Sequence, residues 1–248
     1  MSTLNGKIAL VTGGSRGIGA AIVSKLASEG ATVAFTYVNS PEKAEVIVAG
    51  IEKSGGKALA IKADSGNPKE IAAAVKKTVD HFGALDILVN NAALFVTGPI
   101  EQADENAAQY DKQIDVNIRG IAAAIREAAK YMGDGGRIIT ISSAVANHLG
   151  TAYLTDYAAT KAAASAYSRG YAWDLGSRGI TVNTVQPGPI DTDMNPDSGE
   201  FADSYRKKIA LGRYGKTTEI AALVNFLAGP DSGFITGSTL TIDGGLTA

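Results

Sequence analysis

The stretch Thr12-Gly13-Gly14-Ser15-Arg16-Gly17-Ile18-Gly19 decides the fold of this chain. It follows the apolar run Ile8–Val11, which predicts a strand, and it opens a helical pattern over 18–29. Glycines let a backbone turn tightly and approach a pyrophosphate, and a helix that starts there offers free N–H groups and a positive dipole end. The Gly-x3-Gly-x-Gly spacing differs from the Gly-x-Gly-x-x-Gly fingerprint and lacks the Gly-Lys-Ser/Thr end of a P-loop, which disfavours a nucleoside triphosphatase.

Outward from this turn, short apolar runs alternate with longer helical patterns. Most of the runs are continuous, as buried parallel strands are. They cover 8–11, 33–37, 58–61, 87–90, 138–142, 181–186 and 239–242, and the helical patterns cover 18–29, 41–54, 68–82, 104–131, 155–177 and 216–228. This repetition predicts an α/β fold with a doubly wound, mostly parallel sheet of seven strands flanked by helices. Residues 1–248 are predicted to form one domain, in which the irregular stretch 188–214 is a lid over a site.

Composition excludes several classes of function. The formal net charge of −2 and the 19% of charged residues give no footprint for nucleic acid or a charged membrane surface. The chain has no cysteine, and its two histidines, His81 and His148, stand without a ligand pattern, so no metal site is predicted. No apolar stretch approaches the ~20 residues that span a bilayer, and no secretory signal is visible. A soluble cytoplasmic protein is expected.

A tyrosine and a lysine one helical turn apart are the strongest sign of chemistry. Of the nine tyrosines, only Tyr157 has a lysine, Lys161, four residues later, and Ser143 lies a short way upstream. An ammonium beside a phenol favours the phenolate, which predicts a pKa for Tyr157 below its usual value of about 10. Such a phenol can donate or accept a proton at a carbonyl or alcohol oxygen. An ordinary surface pair on a helix is the alternative.

The order of these motifs resembles the short-chain dehydrogenase/reductase family over essentially the whole chain. The glycine turn is followed by Asn90-Asn91-Ala92-Ala93, Asn117, the Ser143/Tyr157/Lys161 set, Pro187-Gly188 and the ending 235–245. The nearest sub-group is the 3-oxoacyl-[acyl-carrier-protein] reductase type with its carbonyl-reductase relatives. Two features depart from the family pattern. Ala93 stands where glycine is usual, and the gap from Ser143 to Tyr157 is one residue longer than the commonest spacing, which leaves Ser142 as an alternative to Ser143.

The resemblance implies a Rossmann-type fold and a role for each catalytic residue. Tyr157 is expected to be the general acid, and Lys161 to lower its pKa and bind the nicotinamide ribose. Ser143 is expected to hydrogen-bond the substrate carbonyl oxygen, and Asn117 to position a water that links Lys161 to solvent. Together these roles imply the reversible reduction of a ketone to a secondary alcohol.

The end of the second predicted strand favours NADP(H) as the cofactor. A carboxylate about 20 residues past the glycines usually reads the ribose 2′-hydroxyl, but there is no Asp or Glu between Glu29 and Glu42. Arg16, Asn39 and Ser40 can bind a 2′-phosphate instead. The predicted cofactor contacts are Gly13, Ser15, Arg16, Gly17, Ile18, Gly19, Tyr37, Asn39, Ser40, Asp64, Ser65, Asn91, Ala92, Ala93, Tyr157, Lys161, Pro187, Gly188, Ile190 and Thr192.

The substrate and the assembly are less constrained. A small-molecule ketone or alcohol is expected in a pocket drawn from Leu94, Phe95, Val145, Leu149, Tyr153, Gly188 and Met194. A carrier-protein substrate is the alternative, although Gly133-Asp134-Gly135-Gly136 puts no basic residue where that sub-group often has one. A non-catalytic NADP(H) sensor or scaffold is another, as is a sugar-nucleotide epimerase, for which the chain has little room. The resemblance also implies a homotetramer built on the helices at 104–131 and 155–177 and on the ending 235–245.

Overall fold

The fold is a single Rossmann-type doubly wound domain. The computed structural model describes residues 3–148 and 150–248. Seven strands form one parallel sheet in the order β3-β2-β1-β4-β5-β6-β7. Their bounds are β1 Ile8–Val11, β2 Thr32–Tyr37, β3 Ala58–Lys62, β4 Ile87–Asn90, β5 Arg137–Ile141, β6 Thr181–Pro187 and β7 Thr239–Ile242. The predicted fold class is confirmed, and every apolar run became a strand within one or two residues of its predicted ends.

The helices cover both faces of the sheet. They are α1 Gly17–Ser28, α2 Pro41–Lys53, α3 Pro68–Phe82, α4 Ala107–Ile114, α5 Ile121–Tyr131, α6 Thr155–Leu175, α7 Glu200–Arg206 and α8 Thr217–Ala228. Alternate residues of each strand bury toward opposite layers. Val11 packs in a cluster with Ile22 of α1 and Val224 of α8, whereas its neighbour Leu10 packs in a second cluster with Ile125 of α5.

The strand order reverses between β1 and its two neighbours, β2 and β4. In open α/β sheets of this kind, ligands bind outside the carboxyl ends of the strands at such a switch point. The glycine turn leaves β1 at that edge, and the segments after β4, β5 and β6 leave the sheet at the same edge because all strands are parallel. The predicted cofactor and catalytic residues therefore converge there.

Two elements differ from the sequence-based expectation. The single helix predicted over 104–131 is interrupted by a π-helical turn, Asp115–Gly120, between α4 and α5. Gly120 lies against the segment that follows β3, and a Cβ on it would stand 2.0 Å from the Ser65 carbonyl oxygen. The periodicity of the sequence does not reveal this contact. The predicted lid also contains the short helix α7, which begins after Gly199 at φ 89°.

None of the helices within residues 3–148 and 150–248 is both long enough and apolar enough to cross a membrane.

Candidate active site

The glycine turn is packed so tightly that side chains are excluded at its key positions. A Cβ on Gly19 would stand 2.2 Å from the Gly13 carbonyl oxygen, and one on Gly14 would stand 2.5 Å from Cβ of Phe35. The backbone nitrogens of Gly13 and Gly14 donate to the hydroxyl and the carbonyl of Thr36, each at 2.9 Å. The turn is thereby fixed against β2, and its glycines leave the outer side open for a ligand to approach the backbone.

The start of α1 fits an anion. Arg16 is the N-cap residue with an extended backbone, and its side chain makes no capping hydrogen bond. The first turn, which contains Gly17, Ile18 and Gly19, holds no acidic residue. The first N–H groups of a helix have no intrahelical acceptor, and at α1 no side chain of the described residues caps them. This free helix terminus on a glycine turn fits the pyrophosphate of a dinucleotide.

Thr12 and Asn91 lock the turn to β4. The Thr12 hydroxyl accepts from the backbone nitrogens of Asn91 at 3.0 Å and Ala92 at 3.1 Å, and Asn91 Nδ2 donates to the carbonyls of Thr12 and Gly13, each at 3.0 Å. Asn91 was predicted as a cofactor contact, but its amide is used within the protein. Thr12 was not among the predicted site residues. The signal in the sequence that could have indicated its role was a threonine directly before the glycines.

Ala92 and Ala93 follow in the same segment. A Cβ on Gly13 would stand 2.9 Å from Cα of Ala92, so it is Ala92 that packs against the glycine turn. Ala93 replaces the usual glycine one residue further on and is half-buried.

None of the residues from Tyr37 to Ser40, at the end of β2, has a carboxylate side chain. Tyr37 is half-buried, Asn39 is exposed and Ser40 is the N-cap of α2 without a capping hydrogen bond. Within residues 3–148 and 150–248, the side chains of Arg16, Asn39 and Ser40 have no hydrogen-bond or ion-pair partner. Lys43, in contrast, pairs with Asp193 at 3.3 Å. The uncommitted donors of Arg16, Asn39 and Ser40 suit a phosphate on the ribose.

Asp64 and Ser65 follow β3 at the same edge of the sheet. The Asp64 carboxylate binds Lys112 Nζ at 2.7 Å and accepts from Gly66 N at 2.8 Å. Burial acts to raise the pKa of Asp64, but the hydrogen bonds from Lys112 and Gly66 outweigh it and hold the pKa below its usual value. The carboxylate of Asp64, predicted as a cofactor contact, is thus engaged with the protein. The buried Ser65 hydroxyl has no partner among the described residues.

Lys161 and Tyr157 lie side by side on α6. Lys161 is 2% exposed, its Nζ donates to the Ile141 carbonyl at 3.0 Å, and Nζ lies 5.6 Å from the centre of the Tyr157 ring. Burial lowers the pKa of Lys161 to about 8. Burial raises the pKa of Tyr157 to about 12, and a hydrogen bond with Ser143 opposes that rise.

The predicted depression of the Tyr157 pKa is wrong for the protein alone. Desolvation of the phenolate outweighs the hydrogen bond with Ser143, and desolvation also disfavours the charged form of Lys161. At neutral pH the phenol therefore keeps its proton, which is the form that a general acid needs.

Ser143 is the serine that faces Tyr157. It follows β5 and accepts from Val145 N at 3.4 Å, and it is the hydrogen-bond partner that acts on the pKa of Tyr157. Ser142 is 3% exposed, and its hydroxyl donates to the Lys161 carbonyl at 2.8 Å. The geometry therefore favours Ser143 over Ser142 as the residue that can touch a substrate.

Asn117 lies fully buried in the π-helical turn. Its Oδ1 accepts from Leu94 N at 2.9 Å, and its Nδ2 donates to the Leu94 carbonyl at 2.9 Å and to Thr160 Oγ1 at 3.0 Å. The side chain thus holds the segment after β4 against α6. This use differs from the water-positioning role that the resemblance implied for it.

The segment after β6 crosses toward the glycine turn. Pro187 ends β6, and a Cβ on Gly188 would stand 2.7 Å from Asp243 Cα, so only glycine fits. Ile190 is buried and pairs with Gly215, whereas a Cβ on Gly17 would lie 3.5 Å from the Thr192 methyl group. Thr192 therefore stands beside the start of α1.

The residues of the expected substrate pocket differ in exposure. Phe95, Tyr153 and Met194 are exposed, and Leu94 and Val145 are half-buried. Leu149 lies outside the described residues. Among residues 3–148 and 150–248 there is no group of three or more His, Asp or Glu side chains arranged to hold a metal ion.

Known proteins match the chain over its length. A family model described as enoyl-(acyl carrier protein) reductase matches residues 13–247. A cyclic-di-GMP-binding biofilm dispersal mediator protein of Escherichia coli is 42% identical and covers 100% of both chains. A 3-oxoacyl-[acyl-carrier-protein] reductase of Staphylococcus aureus is 40% identical over 97% of this chain and 98% of its own. A solved short-chain dehydrogenase of Burkholderia cenocepacia in complex with NADP is 49% identical, covers 99% of this chain and 100% of its own, and superposes with a TM-score of 0.97.

Proposed function

The chain belongs to the short-chain dehydrogenase/reductase family, and from this premise we propose that it reduces a ketone to a secondary alcohol with NADPH. The observation that carries the proposal is one cluster at the carboxyl edge of the sheet. There the buried Lys161, the protonated Tyr157 and Ser143 stand together, and the glycine turn leaves β1 at the same edge.

The proposed chemistry divides between the cofactor and the chain. Bound NADPH supplies the hydride that the substrate carbonyl carbon takes up. Tyr157 donates its proton to the carbonyl oxygen, and Ser143 hydrogen-bonds the same oxygen as negative charge develops on it. Lys161 would stabilise that charge and would bind the nicotinamide ribose. The reverse reaction uses the same groups, with Tyr157 as the acceptor of the alcohol proton.

Asn117 has a positioning role in this proposal. Both atoms of its amide are used on Leu94 and Thr160, so the contact with a water beside Lys161 would fall to its backbone carbonyl. The side chain itself fixes the segment that carries Phe95 next to the catalytic tyrosine.

The cofactor contacts are proposed from the free groups around the turn. The backbone of Ser15 to Gly19 would hold the pyrophosphate, and Arg16, Asn39 and Ser40 the 2′-phosphate. Asp64, Ser65, Ala92, Ala93, Ile190 and Thr192 would then line the groove. Residues 188–214 are proposed as the lid of a domain that spans the chain.

An NADPH-oxidation screen against a panel of ketones, including acetoacetyl thioesters, tests the proposal. Arg16→Ala should lower kcat/KM for NADPH by about 10- to 100-fold, because it removes a charge-assisted contact worth about 1.5–3 kcal/mol. Efficiency with NADH should change little. Arg169→Ala, which removes another exposed arginine without an ion pair, is the matched control. Equal losses with both cofactors would contradict the proposed contact, and no turnover of any ketone would contradict the reductase.

Reduction of an acyl-carrier-protein substrate is a second candidate, supported by the Staphylococcus aureus relative. The chain places Gly133-Asp134-Gly135-Gly136, with no basic side chain, before β5. We therefore expect acetoacetyl thioesters of coenzyme A and of the carrier protein to be reduced with similar efficiency. A strong preference for the carrier-bound form would favour this candidate.

A binding protein without turnover is the candidate from another class. It is supported by the name of the Escherichia coli relative, which binds cyclic di-GMP. The presence of both Tyr157 and Lys161 favours catalysis, because a sensor needs no proton donor. Tight NADPH binding with no oxidation against the whole panel would decide for the sensor.

The assembly and the location belong to the same proposal. A homotetramer in the cytoplasm is expected. On α6, Tyr167 stacks on Tyr171 with 5.8 Å between ring centres, and Trp173, on another side of the helix, is 90% exposed; both leave apolar surface on which a second helix can pack. A monomeric mass by light scattering at micromolar concentration would contradict this.

A further inference from the structure

An open aromatic ring touches the catalytic tyrosine. Phe95, in the segment after β4, meets the Tyr157 ring edge to face, with 4.7 Å between ring centres and 89° between planes. Phe95 is nevertheless 47% exposed, so much of its ring surface is uncovered beside the proton donor. A large uncovered apolar group beside reacting atoms is a place for an apolar part of the substrate.

A second exposed ring, that of Tyr153, is carried by a strained backbone bonded to the segment of Phe95. Tyr153 is the one non-glycine residue of the described chain with a positive φ, 69°. A bulky side chain is an outlier in that region, where glycine has no steric cost. Its carbonyl accepts from Gly98 N at 3.2 Å, which ties it to the segment that carries Phe95.

Burial does not explain why a tyrosine occupies this strained position. The Tyr153 side chain is 62% exposed, and its bond to Gly98 uses only the backbone, which glycine would also supply. A strained residue that packing does not require suggests that the side chain serves a ligand.

The lid adds two more rings. The Tyr205 hydroxyl of α7 lies 3.1 Å from Thr151 Oγ1, so the lid helix touches the segment that contains Tyr153. Phe201, on the same helix, is 62% exposed and packs on Tyr205 with 5.2 Å between ring centres. Phe95, Tyr153, Phe201 and Tyr205 are thus linked through the 95–98, 151–153 and α7 segments, with Phe95 on the Tyr157 ring, and we call these four rings the aromatic rim.

Resting on the proposed ketone reductase, we propose that this aromatic rim selects ketones that carry a flat aromatic ring, with Phe95 and Tyr153 as the specificity-determining residues. Ring faces and edges attract one another beyond the effect of apolar burial alone. A saturated ring of the same size is buried as well but lacks this attraction.

The test compares two ketones that differ only in the ring: 4-phenylbutan-2-one and 4-cyclohexylbutan-2-one. Neither carbonyl is conjugated, so their intrinsic reactivity is alike. Wild type should prefer the phenyl ketone in kcat/KM. Phe95→Leu and Tyr153→Gly should each lower the phenyl-to-cyclohexyl ratio by about 2- to 10-fold, the range for one aromatic contact. The glycine variant keeps the φ 69° backbone, so its effect reports the ring.

Two controls isolate the rings. Tyr153→Phe keeps the ring and should keep the ratio. Tyr131→Leu removes an exposed tyrosine from the end of α5, at the opposite edge of the sheet, and should also keep it.

The outcomes separate this inference from the proposed function. Reduction of both ketones without a phenyl preference overturns the aromatic rim and leaves the reductase standing. A wild-type ratio in the Phe95→Leu variant overturns the role of Phe95, and one in the Tyr153→Gly variant overturns that of Tyr153. Failure to reduce any ketone of the panel overturns the proposed function itself.

Discussion

The glycine turn, residues 12–19, and the proposed lid, residues 188–214, lie at the same edge of the sheet and are held in different ways. The turn is defined by close backbone approach, since a Cβ on Gly19 would stand 2.2 Å from a carbonyl oxygen. The proposed lid has a small buried cluster of its own, Ala202, Ile209 and Tyr214, and its side chains reach other segments through polar pairs, such as Lys43 with Asp193 and Tyr205 with Thr151. Steric exclusion permits one shape, whereas polar pairs that contribute about 1 kcal/mol each permit several.

The difference separates two tasks of the site. The same cofactor binds in every turnover, so a fixed backbone suits its binding site. A substrate enters and leaves, so a segment that can open suits it. We therefore expect substitutions in the fixed part, which includes the buried catalytic pair, to change rate and cofactor affinity strongly. Substitutions in the lid should change substrate affinity modestly.

Tyr157→Phe should have the largest effect. It deletes the phenolic proton donor, and loss of a general acid lowers kcat by about 10²–10⁴-fold. The dissociation constant of NADPH should change far less, because the ring itself remains. Steady-state kinetics and NADPH fluorescence titration measure the two quantities. A variant that keeps more than about a tenth of the wild-type kcat would show that Tyr157 is not the acid.

Gly19→Ala should be the next largest effect. A methyl group 2.2 Å from the Gly13 carbonyl and 2.5 Å from Asn91 Nδ2 forces the turn to move. Such overpacking lowers the free energy of unfolding by about 1–3 kcal/mol, and it should weaken NADPH binding because the displaced turn carries the proposed pyrophosphate site.

Gly50→Ala is the matched control for that change. Gly50 is exposed in α2, and a Cβ there meets no atom within 4 Å. The free energy of unfolding should rise by about 0.5–1 kcal/mol, with unchanged cofactor affinity. If both variants bind NADPH equally well, the turn is not the rigid part that we describe.

The pH profile tests the catalytic pair, with an effect of intermediate size. Burial lowers the pKa of Lys161 to about 8 and raises that of Tyr157 to about 12. In ketone reduction the acid therefore keeps its proton, and kcat/KM should fall as pH rises through about 8, by roughly tenfold per unit if the ammonium is required. Efficiency independent of pH up to 10 would contradict this role of Lys161.

The contribution of Lys161 to the free energy of unfolding should rise with pH, opposite to kcat/KM. Unfolding would then not explain the loss of activity. The folded-state pKa of Lys161 lies below its ordinary value of 10.5, so the unfolded chain binds more protons between pH 8 and 10.5. The contribution of this group to the free energy of unfolding then rises with pH over that window. Denaturant unfolding at pH 7.5 and 9.5 measures it.

The comparison also explains which features could be read from the sequence. The strands were predictable because each buried parallel strand is a continuous apolar run, as over Ile8–Val11. The turn was predictable because its sterics demand glycine. In contrast, α7 has only seven residues with one buried side chain, Ala202, so no clear apolar stripe marks it.

Some features depend on contacts between distant segments. The π-helical turn Asp115–Gly120 depends on the approach of Ser65 to Gly120, and the side-chain role of Asn117 on Leu94 and Thr160. The direction of the Tyr157 pKa shift depends on burial, which spacing along a helix does not disclose. The residues proposed as catalytic could be named from the sequence and stay a prediction, whereas the electrostatics of Tyr157 and Lys161 needed the structure.

Tyr205→Phe should give the smallest effect and is the sharpest test of the lid. It removes the 3.1 Å hydrogen bond between α7 and Thr151 while keeping the ring that packs on Phe201. A neutral hydrogen bond contributes about 0.5–1.5 kcal/mol, so KM for the ketone should rise by about 2- to 10-fold. The value of kcat should change less, because no group at the reacting atoms is altered. Tyr131→Phe makes the same chemical change at the far edge of the sheet and should leave KM unchanged. Thr151→Val should reproduce the effect, and the double variant should add nothing, since both changes remove one interaction. An unchanged KM in Tyr205→Phe, or additive effects in the double variant, would mean that this bond does not hold the lid over the site.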